Sequence, residues 1–168
     1  MNFQCNQQEL AKAINITIKA TNTKMQRSIL ECIHIKTYQD QIVLDAFDTV
    51  TAIKTNIPAD IEQEGETIIP ARILQEIINK VTGGEVRFQR LGQKGIVVTS
   101  GNTKTTLQEM DADQFPTFPI KEGNSIQIPQ NELKQMIDRT AFSAYTGEDK
   151  PIFTGLLFEM EPNVLNVV

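Results

Sequence analysis

The sequence predicts an α+β protein made from one unit used repeatedly: a short strand, a helix and three strands, with the helices on one face of antiparallel sheets. Three observations carry this. Apolar residues switch between period two and helical spacing in the same order more than once. Pro70 and Pro129 each stand between a short apolar strand and a helical pattern. Residues 1–45 also lie over 124–168 at a fixed offset of 123 without a gap.

The elements follow in order. Phe3 to Cys5 reads as a short strand, and Asn6 with Glu9 three residues on forms a near capping box. Leu10, Ile14 and Thr17 then share a helical face. After a polar loop, Thr21 to Arg27, three strand-like runs follow: Ile29 to Lys36, Ile42 to Phe47 and Thr51 to Ile57, the first pair joined by a turn at Tyr38 to Gln41. The second unit opens on Ile68-Ile69, with Leu74, Ile77, Ile78 and Val81 as the helix face and Gly83-Gly84 as its stop. Val86 and Phe88 alternate with polar neighbours, and turns at Gly92 to Gly95 and Gly101-Asn102 separate the runs Ile96 to Thr99 and Thr103 to Met110.

A third start appears at Ser125 to Pro129, followed by Leu133, Met136 and Ile137. Only eight of the 45 superposed pairs are identical, so the kept apolar pattern is the evidence. Two units make a first domain, 1–121, and a Pro-rich connector, Phe115 to Asn124, leads into 122–168, the incomplete start of a second. A domain stopping in its second strand leaves a bare edge and half a core, so the sequence reads as a fragment.

Composition bounds the function. With 40% hydrophobic and 22% charged residues, the chain can build ordinary globular cores. No apolar run approaches the roughly 20 residues of a membrane span and no signal peptide is visible, so a cytoplasmic protein without membrane contact is expected. Cys5 and Cys32 stand alone in strand patterns and read as reduced core residues, not a disulfide or metal pair. The net charge of −5 argues globally against nucleic acid, but it is unevenly spread. The three predicted helices, Gln7–Ala20, Ala71–Val81 and Gln130–Ala141, sum to +2, which leaves −7 on the rest.

No enzymatic constellation emerges, and no cofactor or metal is expected. His34, the only histidine, sits between Ile33 and Ile35 and reads as a surface or edge residue. Asp111 and Asp113 read as turn residues beside Gln114-Phe115-Pro116. Gly83-Gly84 lacks the Lys-Ser/Thr of a phosphate loop. A small α+β ligand-binding or enzymatic domain without a DNA role is the alternative, and it requires a pocket of convergent polar groups.

The layout and four motifs in order resemble DNA sliding clamps, most closely the β subunit of bacterial DNA polymerase III. "FQCNQQELAKAI" is similar to that family's opening strand and helix, and "IPARILQEI" to its "VPAR" helix start. "MDADQFP" resembles the "AxDFP" close of the first domain, and "EDKPIFTGLLFE" the "E-x-R-P-x-L-T-G" entry to the second domain's strands. Ser28-Ile29-Leu30 and Phe47-Asp48-Thr49 depart from the usual Pro-Ile-Leu and Thr-Asn/Asp-Leu.

The resemblance implies a DNA-clamp fold and a non-catalytic processivity factor that encircles duplex DNA without reading its sequence. It implies a homodimeric ring, and contacts of polymerase and clamp loader through short linear motifs, in the full-length protein. Ring closure there uses the first domain against the partner's third, so the fragment is expected to be monomeric. By matching motifs, Lys24, Arg72, Gly147, Glu148, Asp149, Lys150 and Ile152 are implied to face DNA, with Lys12, Lys80, Lys134 and Arg139 as lesser candidates. Phe153 and Thr154 are implied to contribute part of the partner-peptide pocket.

Overall fold

Alternating apolar and polar side chains make the sheets of this protein, and an exchange of strands between repeats joins them. The computed structural model describes residues 1–21, 29–82, 84–92, 95–110, 112, 115–116, 126–147, 149–162 and 164–168. It divides into two compact units, Met1–Pro119 and Ile120–Val168.

In unit 1, β1 (Asn2–Asn6) buries Phe3 and Cys5. Asn6 caps α1 (Gln7–Thr17), its Oδ1 accepting the N–H groups of Gln8 and Glu9 at 2.9 and 3.1 Å, an interaction worth about 1 kcal/mol. Leu10, Ala13, Ile14 and Thr17 form the buried stripe, the spacing of one helix face. The chain then tightens into a 3-10 turn, Ile18–Ala20. Strands β2 (Cys32–Tyr38), β3 (Gln41–Phe47) and β4 (Ala52–Pro58) form an antiparallel meander. Its first turn places Gln39 at φ 53°, and its second is closed by Asp48, whose carboxylate accepts the N–H groups of Val50 and Thr51.

After the short β5 (Asp60–Gln63), the pattern restarts with β6 (Glu66–Pro70) and α2 (Ala71–Lys80), which buries Ala71, Leu74 and Ile78. Gly84 takes the left-handed φ of 65° that ends helices, and β7 (Glu85–Arg90), β8 (Ile96–Ser100) and β9 (Thr103–Leu107) follow.

Neither repeat completes its own sheet. The strand orders are β5-β1-β7-β8-β9 and β4-β3-β2-β6, so the first strand of each repeat lies against the three strands of the other. Phe3 stands opposite Phe88 across β1 and β7, with rings stacked at 4.8 Å and 6° apart in plane. The helices also lie together. The Gln7 side chain donates to the Ile78 carbonyl at 2.6 Å, and Gln75 donates to Asn15 at 2.8 Å. One apolar core results, drawing Phe3, Leu10, Ile14, Ile35, Leu44, Leu74, Ile78 and Phe88 from both repeats.

The position equivalent to the phenylalanine stack in the other sheet is Thr67 opposite Ile35. Thr67 is fully buried, and its hydroxyl donates to Glu109 Oε2 at 2.8 Å. Arg90 grips the same carboxylate through Nε and Nη2 at 3.1 and 2.7 Å and donates to the Glu66 carbonyl at 2.6 Å. Burial raises the Glu109 carboxyl, but the hydrogen bonds from Arg90 and Thr67 outweigh it and hold the group below the usual glutamate range.

Several boundaries differ from the sequence reading. Ile29–Glu31 is a 3-10 turn, and the strand begins at Cys32. The strand expected over Thr103 to Met110 ends at Leu107, and Met110 makes an isolated bridge to Ile68. β5 escaped notice because only Ile61 of its four residues is apolar; it exists because β1 offers it an edge. Gly83, Lys24, Asp111, Asp113, Gln114, Glu148 and most of the connector lie outside the described residues.

Unit 2 holds α3 (Gln130–Thr140), two 3-10 turns (Ala141–Ser143, Pro151–Thr154) and the hairpin β10 (Phe158–Glu161) and β11 (Val164–Val167). Its register repeats that of unit 1. Phe158 faces Val167, Met160 faces Leu165 and Glu161 faces Val164, which are Ile35–Leu44, Thr37–Ile42 and Tyr38–Gln41 shifted by 123. The Thr140 hydroxyl donates to the Met136 carbonyl at 2.8 Å as Thr17 does to Ala13 at 2.9 Å. The strand expected at Ile126 to Ile128 does not form. In unit 1 the equivalent strands, β1 and β6, each pair with the other repeat. No helix among the described residues is long and apolar enough to cross a membrane.

Phe88→Ala is expected to destabilise unit 1 by about 3–5 kcal/mol in urea unfolding, because it empties the joint between the repeats. Glu109 has a depressed folded-state pKa, so its stabilising contribution is complete above the unfolded value of about 4.3 and fades as pH falls through the folded value. Stability of Glu109→Gln measured against pH should therefore fall less steeply in that acid window than that of the parent protein.

Candidate nucleic-acid interface

In unit 1 the exposed sides of α1 and α2, with the 3-10 turn between α1 and the following loop, carry Lys12, Lys19, Arg72 and Lys80. None of the four makes an ion pair among the described residues. The sheets are different: Lys36 pairs with Glu66, Lys54 with Asp45, Arg87 with Glu62 and Arg90 with Glu109. Lys104 is the sheet cation left without such a partner among the described residues. Glu9 and Glu76 are also exposed on the helices, so the net excess there is +2.

Arg72 is the second residue of α2 and points into solvent. The macrodipole makes this end of a helix positive, so a cation here is unfavourable by roughly 0.3–1 kcal/mol and does nothing for the helix itself. Pro70 supplies no side-chain cap, whereas Asn6 covers the first amides of α1. The opening turn of α2 thus has no side-chain cap, and Arg72 stands exposed in it.

The second group of predicted residues lies in unit 2: Gly147, Asp149 and Lys150 in the loop between its two 3-10 turns, and Ile152, Phe153 and Thr154 in the second of those turns. Tyr145 organises this loop: its N–H donates to the Phe153 carbonyl at 2.8 Å and its hydroxyl donates to Asp149 at 2.5 Å. That bond, with a smaller contribution from burial, raises the Tyr145 pKa. Gly147 lies under the Tyr145 ring, and a Cβ there would come within 2.3 Å of the hydroxyl oxygen, so a larger residue would displace the tyrosine ring from this position. Asp149, Lys150 and Thr154 are exposed, as are Ile152 and Phe153. The Thr154 hydroxyl donates to the Pro151 carbonyl at 2.8 Å. Tyr145, Lys150, Ile152, Phe153, Leu157 and Val168 border an open cleft of about 850 Å³.

The lesser candidates separate. Lys134 is tied to Asp138 one turn on in α3, which removes most of its free charge, while Arg139 and Lys150 have no ion-pair partner among the described residues. The Lys134–Asp138 spacing was visible in sequence; Tyr145 as organiser of the loop was not, because its partners come from both sides of a turn.

His34 corrects the sequence reading. It lies on β2, between β3 and β6, and is neither an edge residue nor an open surface one. Its two ring nitrogens face Asp45 at 3.5 Å and Glu66 at 3.0 Å, and its ring stacks on Phe115 at 5.0 Å. With a carboxylate on each nitrogen, it is not poised to activate a nucleophile. Cys5 and Cys32 are free and buried. Burial chiefly, then nearby glutamates, pushes their thiols up to about 12 and about 11, which makes them poor nucleophiles. Among the described residues no cluster of three or more His, Cys, Asp or Glu is placed to hold a metal ion.

Paired strand–helix–three-strand repeats with exchanged first strands and an unneutralised cationic helix face define a clamp-type α+β domain. A family model described as "DNA polymerase III beta subunit, N-terminal domain" matches residues 1–119, and the chain belongs to that family. It is 30% identical to the beta sliding clamp of Bacillus subtilis and 28% identical to that of Staphylococcus epidermidis; in each case 98% of this chain covers 46% of the relative. The crystal structure of the DNA polymerase sliding clamp from Bacillus subtilis superposes with a TM-score of 0.93 at 30% identity, over 99% of this chain and 46% of that one. The beta subunit of the DNA polymerase of Streptococcus pyogenes gives 0.89 at 27%, over 96% and 44%. The chain thus spans somewhat less than half the length of the relatives it matches.

Proposed function

We propose that this chain is the DNA-facing N-terminal part of a DNA sliding clamp, a non-catalytic cytoplasmic protein that encircles duplex DNA as a homodimeric ring and tethers the replicative polymerase. One observation carries the reading: among the described residues, cations on the adjacent helices of unit 1 lack carboxylate partners, while most cations on the sheets are neutralised. A lining of unpaired Lys and Arg on helices attracts phosphates without reading base edges, which sliding requires. Arg72 is its strongest member, because its place in α2 costs helix stability and earns nothing structural. Lys24 in unit 1, and Gly147, Glu148, Asp149, Lys150 and Ile152 in unit 2, are also proposed to contact DNA. Lys24 and Gly147 are equivalent sequence positions, 123 apart, in two repeats.

Polymerase and clamp loader are proposed to dock on the whole protein through short linear motifs. Phe153 and Thr154 would form one side of that pocket, and Phe153 borders the open cleft of unit 2. One wall of such a pocket is insufficient for useful affinity, and micromolar binding of a clamp-binding peptide to the 168-residue chain, measured by titration, would overturn this.

Arg72→Ala is expected to lower duplex affinity about three- to tenfold, equally for unrelated sequences, and to reduce the slope of log affinity against log salt by about 1. Thermal stability should stay level or rise slightly, since a cation leaves the positive end of α2. Unchanged binding across the salt series would remove Arg72 from the interface.

A further inference from the structure

Both faces of the β2–β6 pair are buried, and one of them lies outside the main core. Ile33, Ile35 and Ile69 belong to that core. Cys32, His34 and Ile68 alternate with them along the two strands and therefore lie on the opposite face. One face of an antiparallel sheet commonly meets water, yet Cys32 and Ile68 are 2% and 0% exposed.

The chain that follows β9 covers them, through three anchors of different strength. Glu109 is held by the charge-assisted hydrogen bonds of Arg90 and by Thr67, the firmest of the three. Met110 donates its N–H to the Ile68 carbonyl at 2.9 Å and accepts the Cys32 thiol on its sulfur at 3.5 Å. Phe115 stacks on His34, with ring centroids 5.0 Å apart and planes inclined by 28°. Its N–H donates to the Ala112 carbonyl at 3.0 Å, within the same segment.

His34 makes the third anchor possible. A row of alternating charge crosses this face in the order Lys54, Asp45, His34, Glu66, Lys36, at 3.8, 3.5, 3.0 and 3.8 Å. The carboxylates of Asp45 and Glu66 meet the two nitrogens at the edge of the imidazole. They fix the ring plane and leave a flat face for Phe115, at the centroid separation of ordinary aromatic pairs.

We propose that Met110 and Phe115 anchor a strap over a small second core, hinged at Glu109 and latched where Phe115 rests on His34. The strap lifts as a local unit while the main core stays closed, because its outer anchor is a single ring contact and not a network. His34 is the positioning residue of the latch. Phe115 also begins the connector to unit 2, so lifting the strap lengthens that connector by up to about 3.3–3.6 Å for each residue released. None of this depends on a role in DNA binding.

The two thiols report the two events separately, since Cys32 lies beneath the strap and Cys5 lies in the main core. Alkylation of the native 168-residue chain, followed by peptide mass spectrometry, should modify Cys32 faster than Cys5. Phe115→Ala should speed Cys32 about tenfold and leave Cys5 and the urea midpoint of the main core unchanged, while Phe115→Trp should keep the slow rate. His34→Leu fills the same space without offering a ring edge to the carboxylates, and it should speed Cys32 as Phe115→Ala does. The Cys5 rate exposes any variant that has simply lost global stability. One common rate for both thiols in the parent chain would overturn the proposal, as would a Cys32 rate indifferent to Phe115→Ala. Acceleration of both thiols together by Phe115→Ala would overturn it too, since the strap would then open only with the whole fold.

Discussion

Everything in unit 1 depends on the crossing of first strands between repeats. A strand–helix–three-strand unit leaves one sheet edge open and one helix face bare, and it cannot bury its own apolar surface. By placing β1 on β7 and β6 on β2, each repeat satisfies the other's open backbone groups and covers the other's core. The Phe3–Phe88 stack marks this dependence, since each ring belongs to a different repeat and neither has an equivalent partner within its own. Loss of either repeat would strand both sheets, so the two fold as one core.

The pseudo-symmetry is broken at one point, and polar chemistry takes over there. Where the first sheet has two aromatic rings, the second has Thr67 and Ile35, and Thr67 joins Glu109 and Arg90 in a partly buried network. Arg90 also holds the Glu66 carbonyl, and its own N–H donates to the Met1 carbonyl at 2.9 Å. The network therefore joins the start of the chain, β6, the end of β7 and the segment after β9. It also consumes a cation that would otherwise stand free on a sheet. The same happens at Lys36, Lys54 and Arg87. Sorting charge in this way leaves the helices with a local excess of positive charge inside an acidic chain, something that net charge conceals.

Much of the fold was legible because the repeat is. Pro70 and Pro129, the Leu and Ile at matching helix positions, and the alternation in β7 each reflect a local requirement of backbone or burial. The candidate site was less so. Arg72 could be singled out by motif, but only the structure shows that it stands exposed at the unfavourable end of α2, with no ion-pair partner among the described residues. His34 was misread because a polar residue between two isoleucines looks like the outer face of an edge strand. It lies on an interior strand, with carboxylates supplied by the strands on either side, and those arrive from distant sequence.

By itself the sequence determined most elements of unit 1, their order and their repetition, because propensity, capping and side-chain period act over a few residues. It also determined the family resemblance and the sign of the charge segregation. Only the tertiary structure decided which repeat each first strand joins, which cations are neutralised, and whether a strand pattern becomes a strand. Ile126 to Ile128 shows the reason. It has the apolar spacing of β1, yet it forms no strand among the described residues, because a strand is defined by a partner's backbone and not by its own residues.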